Sequence, residues 1–399
     1  MRVLLASTAS YSPPRGGSTR SNLVWLRALV RSGHPCRVVC SRADDALAAR
    51  ERAEQGDGDP EIEIVAVESL ARRPAVLGEE IRRFRPDWVL VSSEDVGQSL
   101  LRAASQAAPG RIVYVAHTPQ FFPLGPESWN PHDSAAALVR QAAGVVAISE
   151  YVAGLLANEG VSAQVIHPPI YGTPPFPRAE TFDDGLVLMI NPCAVKGLPV
   201  FLALADRFPK MRFAALPGWG TNTADRAELA RRPNIEILPA QRDMTALWLR
   251  TKILLAPSLW AEGFGLVVME ALRYGVPVLA SDHAGLRESK RGTGYLLPVA
   301  PIQRYEAEFD ERLLPRAVIE PQPFEQWARA LEAIHGQREL WQAESERSVT
   351  AAARFLSTLE ADALERYLDS LTPTASEPAR PALSAEKRRL LLERLKARS

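Results

Sequence analysis

A chain of 399 residues holds two domains of ordinary size, and 46% hydrophobic with 24% charged residues is a globular composition, not a disordered one. Lys plus Arg number 47 and Asp plus Glu number 47, and this zero net charge argues against nucleic acid as a main partner. Three cysteines (Cys36, Cys40 and Cys193) give neither a disulfide framework nor metal-ligand spacing, and they fit a reducing, cytoplasmic setting. The opening run, residues 1–6, is too short for a signal peptide or a spanning helix and reads as a first strand. No later run reaches membrane length, so no transmembrane segment is expected.

Apolar runs at 3–7, 37–40, 62–67, 88–92, 112–117, 145–149 and 163–166 predict strands. Continuous runs of this kind, separated by helices, point to a parallel sheet buried on both faces. Between the first two, Leu23, Leu26 and Val30 share one face of a helix over 18–32, with Ser18 or Ser21 as cap and Gly33 as stop. Asp57-Gly58-Asp59 has the form of a metal-binding Asp-x-Asp, but it precedes a strand in a Gly- and Asp-rich loop and reads as a surface turn. No metal site is expected. Pro168, Pro169, Pro174, Pro175 and Pro177 mark residues 168–185 as a linker between domains. Alternation restarts with strands predicted at 186–191, 212–217, 235–238, 253–256 and 277–281, a second doubly wound sheet. Residues 302–322 read as an irregular insertion of mixed charge, followed by helices to about residue 371. The expected division is a first Rossmann-like domain at 1–167 as the acceptor side, a second at 186–336 as the nucleotide-binding side, closing helices at 337–371, and a Pro-rich linker with a basic tail helix at 372–399.

The most informative segment is 257–288. A strand runs into Glu262-Gly263-Phe264-Gly265-Leu266, a helix opens near Gly265, and Glu270 lies in its first turns. Such a loop points backbone N–H groups and the positive end of a helix dipole at an anion. A carboxylate there cannot help to bind phosphate, but it can accept hydrogen bonds from the hydroxyls of a ribose. The site reads as built for a nucleotide diphosphate.

This string resembles the Glu-x7-Glu motif of retaining GT-B glycosyltransferases of family 4, with Glu270-Ala271-Leu272, Gly275-Val276-Pro277-Val278 and Gly285-Leu286-Arg287-Glu288 in their places. The resemblance implies an α/β GT-B fold, two doubly wound Rossmann-like domains facing across a cleft. The last helix would cross back onto the first domain. It implies a nucleotide diphosphate sugar as donor, no cofactor and no metal. Glu262 would sit near the donor sugar or its phosphate, Glu270 would hold the ribose, and Gly263, Phe264, Gly265 and Leu266 would form the donor loop. Gly16-Gly17, after the first strand, resembles the family's N-terminal Gly-Gly loop. His117 matches a histidine that contacts the donor sugar, and Ser149-Glu150 matches the family's Ser-Glu at a helix start. Lys196-Gly197 matches the end of Gly-Arg-x4-Lys-Gly, whose two cations grip the diphosphate, but Asn191 stands where the arginine belongs. Arg15, Arg20 or Arg242 could supply that charge, Arg15 first among them. Expected catalytic residues are therefore His117, Lys196 and Glu262. An epimerase or phosphorylase of the same fold, and a sugar-nucleotide-binding scaffold without turnover, are the competing readings.

Beyond the Pro-rich linker, residues 383–396 form a basic amphipathic pattern with Ser384 as cap and Leu391, Leu392 and Leu395 on one face. A frayed terminus or a membrane-surface helix would share that pattern. The segment resembles linkers beside condensation domains of nonribosomal peptide synthetases. That resemblance implies a synthetase partner and a peptide, lipopeptide or other natural-product acceptor.

Overall fold

Runs rich in Val, Ile, Leu and Ala can be buried on both faces, and they form the central strands of the protein's two sheets. The computed structural model describes residues 1–14, 16–42, 61–240, 243–312 and 314–374. In the first sheet, β1 (Val3–Ser10), β2 (Cys36–Ser41), β3 (Glu63–Val67), β4 (Trp88–Ser92), β5 (Ile112–Ala116), β6 (Gly144–Ala147) and β7 (Gln164–Val165) are all parallel, in the order β3-β2-β1-β4-β5-β6-β7. In the second, β8 (Leu186–Ile190), β9 (Phe213–Leu216), β10 (Ile235–Ile237), β11 (Thr251–Ala256), β12 (Val278–Ser281) and β13 (Leu296–Leu297) are parallel in the order β10-β9-β8-β11-β12-β13. Both are Rossmann-like, and together they make the GT-B architecture. Val3 to Ala6 and Val113 to Ala116 are wholly buried. Each large apolar side chain so buried contributes about 1.5–3 kcal/mol, so the two-faced burial, more than any local propensity, fixes these strands.

Strand order reverses between β1 and β4 in the first sheet and between β8 and β11 in the second. Ligands of open α/β sheets bind at the carboxyl ends of the strands flanking such a reversal. The loops after β1, β4, β8 and β11 therefore border the two places where the fold favours a ligand.

Three helices, Phe324–Gly336, Arg338–Leu356 and Ala363–Ser370, follow the second sheet. The last of them returns to the first domain. Tyr367 Oη accepts from the Val145 amide at 3.1 Å and donates to its carbonyl at 3.3 Å. Glu365 takes hydrogen bonds from Ser32 and His34, and Leu364 and Leu368 enter the first core.

Two expectations from the sequence are corrected. Residues 302–322 are not irregular: β14 (Tyr305–Phe309) and β15 (Pro315–Ala317) pair as an antiparallel hairpin. Its apolar side rests on the core residues Trp260 and Val195, which is what orders it. The first helix, Gly17–Arg31, starts on Gly16 with no side-chain cap. Ser18 and Ser21 are already inside it, and Ser21 Oγ donates back to the Gly17 carbonyl at 2.8 Å. Ser149 does cap its helix, accepting from the Val152 amide at 3.1 Å. Asp57-Gly58-Asp59, Arg15, Arg242 and the tail from residue 375 lie outside the described residues.

Candidate active site

The loops after β8 and β11 are tied together before any ligand enters. Leu259 and Trp260 both donate their amides to the Val195 carbonyl, at 2.9 and 3.3 Å. Lys196 ends the short 3-10 turn Ala194–Lys196, and its Nζ lies 2.5 Å from Glu262 Oε1. Ser258 Oγ donates to the same oxygen at 2.5 Å. Burial pushes the Glu262 carboxyl up, but Lys196 and Ser258 outweigh it and hold it below its ordinary range. Lys196 Nζ also sits 4.5 Å from the ring centre of Trp260 and 5.9 Å from that of Trp219. The ammonium is thus bracketed by a carboxylate and two indole faces, both favourable to a cation.

Gly263 and Gly265 shape the loop between β11 and the helix Leu266–Arg273. A Cβ on Gly263 would stand 2.0 Å from the His117 carbonyl oxygen, so no other residue allows the two domains to meet there. Gly265 has φ of 95°, and a Cβ on it would press on Leu286 at 2.6 Å. The helix Leu266–Arg273 follows with no side-chain cap, which leaves its first N–H groups for an external acceptor. Leu266 in turn packs against Gly17, whose Cβ position would be 2.7 Å from Leu266 Cδ1. Two uncapped helix starts, one from each domain, therefore meet at this point. Their dipole ends are both positive, and such a meeting favours an anion between or beside them. Phe264 is buried against His167 and Phe355, with ring centres 5.1 and 5.6 Å away, and holds the loop from beneath.

Glu270 is buried in the first turns of that helix, and Arg20 of the first domain reaches it at 3.5 Å. Burial pushes its carboxyl up, against the pull of Arg20 and Arg273. Of the three arginines considered for the missing phosphate contact, Arg20 is the one among the described residues, and it lies on the carboxylate expected to hold ribose. Asn191 is turned inward. Its Oδ1 accepts from the Gly220 amide at 2.9 Å and from Thr221 Oγ1 at 3.4 Å, and its Nδ2 is buried without a partner among the described residues. It pins the loop that carries Trp219, so its link to the site runs through that loop.

His117 follows β5 and is buried, with its ring 6.0 Å from that of Trp25. Asn22 Nδ2 donates to Tyr11 Oη at 2.7 Å and Ser92 Oγ at 3.0 Å, which leaves Asn22 Oδ1 to accept from His117 Nε2 at 2.9 Å. That network assigns the ring proton to Nε2. Burial lowers the imidazole's proton affinity, so it stays neutral at pH 7. The side chain faces the first domain, and the backbone carbonyl is what touches the Gly263 loop.

Several contacts across the cleft were not read from the sequence. Ser149 Oγ donates to the Gly263 carbonyl at 2.5 Å, and Gln120 Nε2 to the Ala261 carbonyl at 3.2 Å. Glu288 accepts the amides of Glu150 at 3.2 Å and Tyr151 at 2.9 Å, capping a helix of the other domain. Glu288 carried a signal as part of the Gly-Leu-x-Glu string, but nothing local names a partner 137 positions away. Among the described residues no three His, Cys, Asp or Glu side chains gather as a metal would need, and no helix is long and apolar enough to cross a membrane.

The family model "Glycosyltransferase Family 4" matches residues 15–171, and "Glycosyl transferases group 1" matches residues 189–311. No curated protein matches the chain in sequence. Among solved structures, HepE of Anabaena in complex with UDP-glucose is similar over 92% of this chain and 98% of its own, with 14% identity and a TM-score of 0.66. WaaG, a glycosyltransferase involved in lipopolysaccharide biosynthesis, is similar over 93% and 99%, with 16% identity and a TM-score of 0.60. A variant of S. aureus TarM bound to fondaparinux, alpha-GlcNAc-glycerol and UDP is similar over 92% and 99%, with 10% identity and a TM-score of 0.67.

Proposed function

This chain belongs to family 4 of the glycosyltransferases, the group 1 enzymes, and from that premise we propose that it transfers a sugar from a uridine diphosphate sugar to an acceptor hydroxyl with retention of anomeric configuration. One observation carries the reading: two uncapped helix starts meet across the cleft at Gly17 and Leu266. Lys196 stands in the loop that borders this anion-favouring place. The fold neighbours HepE and TarM, solved with UDP-glucose and UDP, support uridine as the base.

In the proposed reaction the bond from the anomeric carbon to the diphosphate oxygen breaks. A bond to the acceptor oxygen forms on the same face, and the acceptor's proton leaves on the departing diphosphate. The helix starts and Lys196 stabilise the charge that develops on the diphosphate. To do so Lys196 leaves Glu262, whose freed carboxylate takes hydrogen bonds from donor sugar hydroxyls. Glu270 takes those of the ribose, with Arg20 moving aside toward the diphosphate. His117, kept neutral by burial and oriented by Asn22, supports the donor loop from the first domain. No protein nucleophile and no metal ion enters this scheme. We place the enzyme in the cytoplasm, and the tail resemblance supports a peptide or lipopeptide acceptor presented by a synthetase.

A second reading is a sugar-nucleotide-binding protein without turnover. Asn191 favours it, since it pins a loop where the family's arginine would hold phosphate. A thermal-shift screen of nucleotide sugars followed by donor hydrolysis separates the two. A donor at 100 times its dissociation constant adds about 2.7 kcal/mol of stability in either case. Release of free nucleotide diphosphate occurs only with the transferase.

A further inference from the structure

Four charged side chains border the place where the helix starts of Gly17–Arg31 and Leu266–Arg273 meet, and they cancel in two pairs. Lys196 lies on Glu262 within the second domain, and Arg20 of the first domain lies 3.5 Å from Glu270 of the second. The second pair joins unlike surroundings: the Arg20 side chain is 52% exposed and that of Glu270 only 10%. Among the described residues no other side chain comes within ion-pair distance of the Glu270 carboxylate. The junction itself brings the two together. Arg20 stands three positions after Gly17 and Glu270 four after Leu266, so each lies about one turn beyond the contact between those residues. Side chains on a helix lean toward its N-terminus, so Arg20 leans back toward the helix start that favours an anion.

A sugar nucleotide offers each half of this pair a new partner. Its ribose hydroxyls donate to a carboxylate, and its diphosphate accepts from a guanidinium in a charge-assisted pairing. A nucleoside offers the hydroxyls alone, and it reaches Glu270 only by leaving Arg20 without an anion. We propose that Arg20 is a specificity-determining residue that selects a nucleoside diphosphate over a nucleoside. It stands in for the ribose on Glu270 while the cleft is empty, and it exchanges that carboxylate for the diphosphate when the donor binds. This rests on the donor reading above and deepens it. The exchange trades one anion for another, and it needs only the motion of a half-exposed, flexible side chain. Because the two halves belong to different domains, the diphosphate is gripped from both sides only when the cleft is closed.

The test titrates the full chain and the variants Arg20→Ala and Arg20→Lys with uridine, by ligand-observed NMR, and with UDP, by calorimetry. In Arg20→Ala uridine is expected to bind about twofold to fivefold tighter, because its ribose no longer competes with a half-exposed ion pair. UDP is expected to bind about tenfold weaker, for the loss of one charge-assisted contact. Arg20→Lys keeps the charge and should return both affinities most of the way to the parent. The opposite signs are the signature, since a residue that merely held the domains together would move both ligands the same way. Weaker binding of both ligands in Arg20→Ala, tighter binding of both, or unchanged uridine affinity overturns the proposal, as does a lysine variant that matches alanine. Each of these leaves the donor reading standing while the parent still prefers UDP. A parent that binds neither ligand overturns the donor reading and this proposal with it, and that is seen before any substitution is made.

Discussion

Lys196 and Glu262 satisfy each other in the absence of ligand, and this pairing decides what their loss does. Replacing Lys196 with alanine leaves the half-buried Glu262 carboxylate with Ser258 alone and, in the proposed reaction, removes a cation from the diphosphate. Turnover of a nucleotide sugar should fall by about 10²-fold or more, the usual loss for one transition-state donor. Steady-state rates for Lys196→Ala that match the parent would assign the diphosphate to another cation. A second residue gives a pH signature away from the site. Lys290 is wholly buried, donates to the Val278 carbonyl at 2.5 Å, and has Glu344 at 4.0 Å. Burial lowers its proton affinity from the ordinary 10.5 to about 7, with Glu344 opposing. Between those values the unfolded chain holds a proton that the folded chain has shed. Folding stability from this group therefore rises with pH from about 7 toward 10 and is flat below 7. Urea midpoints for the parent and Lys290→Met, compared at pH 7 and 9, should show the parent gaining on the variant. Parallel midpoints would mean that Lys290 keeps its ordinary proton affinity. Both kinds of residue were unequally legible in sequence. Lys196, Glu262 and Glu270 stand in a long string of fixed spacing. Arg20 on Glu270 follows from a contact across the fold that no local pattern encodes.

At the scale of elements, the strands around the two reversal points were the most legible. β1, β4, β5, β8 and β11 are continuous apolar runs, and burial on both faces leaves such runs few alternatives. The hairpin β14–β15 escaped notice although Tyr305, Ala307 and Phe309 alternate with Glu306 and Glu308, a period of two. Phe309 is 63% exposed, so the alternation serves one packed end only, where Tyr305 meets Trp129 of the first domain with ring centres 5.4 Å apart. At the other end Asp310 accepts from Asn222 Nδ2 at 3.3 Å, and Glu311 accepts the Thr223 amide at 2.7 Å. The hairpin thereby steadies the loop of Trp219 beside Lys196. The double change Asp310→Ala and Glu311→Ala should raise the donor KM severalfold and leave the melting temperature within about 2 °C, since these bonds are exposed or half-buried. An unchanged KM would leave the hairpin without influence on the donor loop. The tail beyond residue 375 gives a complementary expectation. Deleting residues 376–399 should leave donor hydrolysis intact and impair transfer to a carrier-presented acceptor alone. Lost hydrolysis in the truncated chain would make the tail part of the catalytic fold.

At the scale of the whole molecule, the two domains are closed on each other. The Gly263 backbone lies on the His117 carbonyl, Ser149 and Gln120 reach the carbonyls of Gly263 and Ala261, Glu288 caps a helix of the first domain, and Arg20 covers Glu270. In the proposed reaction a donor would enter by opening these contacts, and the same contacts would expel water once they re-form. The two-domain plan was readable from the alternation of strands and helices and from the prolines between the halves. The closure was not, because it is made by single polar atoms meeting across the cleft.

In the proposed reaction this closed cleft activates a uridine diphosphate sugar by same-face departure of the diphosphate. Proton NMR of UDP-glucose incubated with the protein tests it most directly, because water can replace the acceptor and the first-formed anomer is visible before mutarotation. Same-face departure predicts UDP together with α-glucose as the first product, at a rate that falls about 10²-fold or more in Lys196→Ala. Release of β-glucose first, or a donor that binds and stays whole, would contradict it.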